Sequence, residues 1–145
     1  MLVALVLVVA CALGALAWHA IAVAPGDLRL SLYDVEIPDL PTSFDGYRIA
    51  ILTDFHHGPQ QPRARAERAV AFANSQAPHL TVLLGDYGTS EGRVPGWSRR
   101  YYRRVFAELG PVLTGLRASD GFRAVNGKHD HYADADETAA WLSSL

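Results

Sequence analysis

The stretch IAILTDFHHG (residues 49–58) is a run of aliphatic residues that breaks off into an acid, two histidines and a glycine. The same arrangement recurs in TVLLGDYG (81–88) and FRAVNGKHDHY (122–132). Each segment reads as a buried strand that stops in a glycine-containing loop, so Asp54, His56, Asp86 and His129 are expected at strand ends. In an open α/β sheet, ligands bind in the crevice outside the carboxyl ends of the strands. Carboxylates and imidazoles gathered there, with no cysteine nearby, suit hard or borderline divalent metals.

The intervening sequence supplies the alternation that a parallel sheet needs. LRLSLYDVEI (28–37) alternates Leu28, Leu30 and Leu32 with polar residues and then shifts phase at Val35 and Ile37, which predicts a strand with a bulge. Residues 38–46 predict a loop and 47–53 the next strand. Residues 62–76 predict a helix opened by Pro62, with Ala66, Ala69, Val70 and Ala73 on one face. Residues 80–84 predict a fully buried strand, and 85–96 a glycine-rich loop. Ser98 can cap a helix whose stripe is Tyr101, Tyr102, Val105, Phe106 and Leu109, with Gly110-Pro111 expected to interrupt it. A strand over 121–126 and a helix from 134, with acids in its first turn, complete the order β, β–α–β–α–β–α. That order predicts a parallel sheet with right-handed crossovers.

Composition narrows the function classes. The chain has 145 residues, 13 basic and 15 acidic, for a net charge of −2. One domain with a real core is expected, and no field favours nucleic acid. The single cysteine, Cys11, excludes internal disulfides and cysteine-based zinc sites. Residues 1–24 carry no Asp, Glu, Lys or Arg, and a helix needs about 20 apolar residues to cross a bilayer. No basic residue precedes the run, and its core is longer than a cleaved signal requires, although Ala22-Val23-Ala24 resembles a cleavage site. A retained single-pass membrane anchor is the expectation, with Trp18 and His19 near an interface. The domain division follows as 1–24 for the anchor and 25–145 for the α/β domain.

Taken together, TDFHHG (53–58), GDYG (85–88) and GKHDHY (127–132) resemble three successive blocks of the calcineurin-like metallophosphoesterases, written D-x-H, G-D and G-N-H-[D/E]. The approach LPTSFDGYRIA (40–50) and the leading apolar segment are most similar to the membrane-associated bacterial branch. The resemblance implies the amino-terminal half of a layered α/β sandwich that hydrolyses phosphoric esters with divalent ions, two in the complete protein. By position it implies metal ligands at Asp54, His56 and Asp86, the last a bridging carboxylate. It implies a proton donor or charge stabiliser at His129 near the leaving oxygen, with Asp54 also in the catalytic set. Asp130 can fix the loop through backbone hydrogen bonds or orient an imidazole.

Other residues carry plainer readings. Taken singly, Asp54 or Asp86 could cap a helix or bond loop amides. His57 and His131 read chiefly as neighbouring loop residues, with His57 a weaker candidate for substrate contact. His79 reads as structural. The basic run 99–104 reads as the solvated face of a helix.

Two departures stand against the resemblance. Lys128 occupies the asparagine position, and an ammonium offers three donors and no acceptor. It can turn away, stand in for a cation beside a phosphate, or cost the second metal site. The later histidine blocks are also absent, so the expectation is an incomplete domain, inactive or weak by itself. The rival expectation is a non-catalytic, membrane-tethered remnant of the fold.

Overall fold

A computed structural model describes residues 1–23, 28–59, 61–89 and 97–145, the side chains of 97 and 98 excepted. The expected anchor boundary at 24/25, most of the 85–96 loop and the Ser98 cap therefore lie outside the described residues. The chain divides into two units, residues 1–37 and 38–145.

In the first unit, Leu2–Trp18 form helix α1, which continues as a π-helical turn over His19–Val23. Every side chain along it is exposed, and the 22 residues from Leu2 to Val23 are apolar all round. At 1.5 Å per residue such a helix is about 33 Å long, enough to cross a hydrocarbon layer. Residues 28–37 depart from expectation: they form no strand. Alternation marks a segment that suits a half-buried strand, but a strand also needs a partner for its backbone groups, and no ladder reaches this one among the described residues.

The second unit holds the sheet. Strands β1 (Ile49–Leu52), β2 (Leu80–Leu83) and β3 (Phe122–Ala124) run parallel in the order β1-β2-β3. Ile49 pairs with Leu80 and Leu52 with Leu83, while Thr81 pairs with Phe122 and Leu83 with Ala124. The strands fall inside the predicted stretches, β1 and β3 shorter by three residues and β2 by one.

Helix α2 (Arg63–Ser75) follows Pro62 and buries Ala66, Val70 and Ala73. Helix α3 (Trp97–Leu113) runs unbroken through Gly110-Pro111, against the expected interruption. Pro111 costs one hydrogen bond near the helix end, whereas a break would pull Val112 and Leu113 from the core, where both are buried. The core gathers Leu83, Val105, Leu109, Val112 and Leu113 with Ala66 and Val70, flanked by Leu52, Phe122 and Ala124. The opposite face of β1 is open, with Ile49 and Ile51 exposed.

Helix α4 (Lys128–Ser143) starts earlier than predicted but breaks where the sequence placed its start. Asp134 has extended backbone (φ −174°, ψ 105°), and its Oδ1 accepts the Glu137 N–H at 2.9 Å as a helix cap does. That hydrogen bond, and then the Arg99 guanidinium at 2.7 Å, hold the Asp134 carboxyl below the ordinary aspartate range. The basic run behaves as a solvated face: Arg99, Arg103 and Arg104 pair with Asp134, Glu137 and Glu108.

Leu109 is fully buried, while Ile51 lies 62% exposed. Leu109→Ala is expected to cost about 2–5 kcal/mol in urea unfolding, and Ile51→Ala under about 1 kcal/mol. Equal losses at the two positions would contradict this placement of the core.

Candidate metal centre

The β1–β2 ladder continues past the strands into the motif loops. Leu84 N–H donates to Leu52 O at 2.9 Å, Asp54 N–H to Gly85 O at 3.1 Å and His56 N–H to Asp86 O at 2.9 Å. The first two motifs are thus clamped side by side at the carboxyl ends of their strands. Asp54 (φ 57°), His56 (φ 41°) and Asp86 (φ 57°) all take the left-handed backbone region. That region is sparsely used by residues with side chains, and strain of this kind concentrates at ligand sites.

The second and third loops cross at two glycines. A Cβ on Gly85 would strike the Gly127 backbone, and one on Gly127 would strike Asp86. Only residues without side chains let the G-D and G-K-H-D segments approach this closely.

Asp130 locks that crossing. Its carboxylate is fully buried and accepts four donors. These are Asp86 N–H at 2.7 Å, Tyr87 N–H at 3.1 Å, Gly127 N–H at 2.7 Å and the Tyr102 hydroxyl at 2.9 Å. Burial, then the Asp130 carboxylate, pushes the Tyr102 hydroxyl far above its ordinary range, so it stays protonated as a donor. Of the two expected roles, Asp130 performs the backbone-fixing one. Tyr102 was legible only as part of an apolar stripe; its polar tip is what reaches the loop.

The resulting site brings together His56, Asp86 and His129. One donor atom from each lies within 4.8 Å of the others, an arrangement that could hold a metal ion. The rings of His56 and His129 meet edge to face at 5.0 Å, and Asp86 Oδ1 accepts the His129 N–H at 2.8 Å. Two imidazoles and a carboxylate fit a borderline divalent cation. Asp54 stands beside this group: its Oδ1 lies 3.2 Å from His56 Nε2, its Oδ2 accepts the Thr53 hydroxyl at 2.8 Å, and its side chain is 58% exposed.

Neighbouring candidates sort out differently. His57 is buried, with Nδ1 3.1 Å from Gln61 O and Nε2 2.7 Å from Glu108 Oε2, so both ring nitrogens are engaged within the chain. The Arg104 and then the His57 hydrogen bonds hold the Glu108 carboxyl below its ordinary range. Sequence reasoning missed Glu108, which sits one helical turn from Arg104. His79 is structural, accepting the Arg48 N–H on Nδ1 at 2.9 Å. Asn126 donates to Ala135 O at 2.9 Å, which fixes it against α4. Lys128 is exposed, with Nζ 5.6 Å from the Tyr132 ring centroid. His131 is also exposed.

Comparison with known proteins points the same way. Over 114 residues, 77% of the chain, the sequence is 34% identical to the Bos taurus "Transmembrane protein with metallophosphoesterase domain". It is likewise 34% identical over 115 residues to the Danio rerio protein of the same description. The chain is a distant homologue of metallophosphoesterase-domain proteins. It spans about a quarter of the length of these relatives, 23% and 24%. No family-wide sequence profile matches the chain, and no solved structure does.

Asp130→Asn keeps the shape of the side chain but turns amide donors toward N–H groups. The variant is expected to lose about 3 kcal/mol of stability in urea unfolding, because buried donors are left without a charged acceptor. A change under about 0.5 kcal/mol would contradict the role given to this carboxylate.

Proposed function

We propose that this chain contributes a metal-dependent phosphoric ester hydrolase site, tethered to a membrane by the helix Leu2–Val23. The observation that supports it most is the His56, Asp86 and His129 donor group at the ends of parallel strands. The homology to metallophosphoesterase-domain proteins gives that group its chemistry.

In this reading Asp54, His56 and Asp86 hold a divalent cation. Asp54 and His56 leave the same loop and already meet at 3.2 Å. The cation would supply Lewis acidity toward a phosphoryl oxygen. His129, in edge-to-face contact with His56, would give a proton to the leaving oxygen. Asp130 keeps Asp86 and His129 in register through the bonds described above. The donors among the described residues are half-exposed, so the cation is held weakly. A net charge of −2 supplies no field that would favour nucleic acid as the substrate. A second reading, a non-catalytic tethered domain, is favoured by Lys128, whose ammonium cannot ligate a metal.

Mn2+ titration of the full chain in detergent, with EDTA reversal, separates the two readings. EDTA-reversible binding is expected, weakened at least tenfold by Asp86→Asn or His56→Gln, an effect on the order expected for a lost ligand. His129→Gln is expected to leave Mn2+ affinity within about threefold while lowering hydrolysis of a model phosphodiester. Loss of Mn2+ in the His129 variant would make it a fourth ligand. Absence of binding in the parent chain would favour the non-catalytic reading.

A further inference from the structure

Resting on the phosphoesterase reading, we propose that the Lys128 ammonium binds a non-bridging oxygen of the substrate phosphate beside the His56, Asp86 and His129 group. Lys128 immediately precedes His129, so the first turn of α4 carries both the imidazole and the charge. Its Nζ lies 5.6 Å from the Tyr132 ring centroid. The Tyr132 ring stands edge-on to His129 at 6.5 Å, and His129 edge-on to His56 at 5.0 Å. The ammonium therefore contacts a ring that itself neighbours His129 of the donor group.

Charge pairing points to the same ligand. Arg99, Arg103 and Arg104 are each bound to a carboxylate, whereas no carboxylate pairs with Lys128 among the described residues. A cation–π contact on an exposed ring is weak, and the four-carbon stem is flexible, so the ammonium can leave Tyr132 for a stronger partner. Three N–H donors and no acceptor rule out metal ligation and match the acceptor-only oxygens of a phosphate. Asp54 and Asp86 lie in the two adjoining motif loops, and an incoming phosphate needs positive charge beyond a single cation to offset them. Lys128 supplies that charge from the chain itself.

Inorganic phosphate is titrated into the Mn2+-saturated full chain in detergent, for the parent, Lys128→Gln and Lys128→Arg, with Mn2+ affinity measured for each. Lys128→Gln is expected to weaken phosphate binding at least tenfold, on the order of one lost charge-assisted hydrogen bond. Lys128→Arg is expected to stay within about threefold of the parent, because it keeps the charge. Mn2+ affinity is expected to be the same in all three. Unchanged phosphate affinity in the Gln variant would overturn the proposal and leave the metal reading intact. Joint loss of Mn2+ and phosphate in that variant would also overturn it, by making Lys128 a support of the loop. A parent chain that binds no Mn2+ would fail the phosphoesterase reading itself and take this inference with it.

Discussion

A buried carboxylate with four hydrogen-bond donors holds this site together. Asp130 takes the amides of Asp86, Tyr87 and Gly127 and the hydroxyl of Tyr102, which joins the β2 loop, the β3 loop and helix α3. Burying a charge is costly unless its lone pairs are filled, and here the loop amides that need acceptors fill them. Each partner explains the other. The amides have no strand to pair with at the sheet end, and the carboxylate has no water. Because His129 adjoins Asp130 and Asp86 accepts the His129 N–H, the positions of two metal-site candidates follow from this one anchor.

Much of this was legible in the sequence, for identifiable reasons. Aliphatic runs that stop at glycine and an acid report strand ends, so Asp54, His56 and Asp86 fall just past β1 and β2 as expected, whereas His129 lies in the first turn of α4. Small-residue periodicity located α2 closely. What the sequence hid was tertiary. Residues 28–37 alternate well, yet alternation says nothing about whether a pairing strand exists. Pro111 looked like a helix breaker, but the burial of Val112 and Leu113 outweighs one missing hydrogen bond. The polar ends of Tyr102 and Glu108 point to loops distant in sequence, and no local pattern reports such a reach. His57 illustrates the same limit: a loop histidine by sequence, it is a buried link to Glu108 in the fold.

The two units suit separate tasks. The Leu2–Val23 helix is apolar on all sides and long enough to span or to target a membrane. The α/β unit presents its acids and imidazoles at the carboxyl ends of its strands, where parallel sheets place their ligands. Strain in three left-handed residues and two glycines fitted against backbone is the local cost of bringing the loops so close. Lys128 gives this chain a positive charge where its resemblance implies a neutral amide.

The site is proposed to hold one cation on Asp54, His56 and Asp86, with His129 of the third motif beside it. The most direct test is Mn2+ titration of the isotope-labelled full chain in detergent, followed by nuclear magnetic resonance. The account predicts that low Mn2+ selectively broadens the amides of the loops around His56, Asp86 and His129, and that EDTA restores them. Broadening centred on other acidic residues, or none at the motif loops, would contradict it.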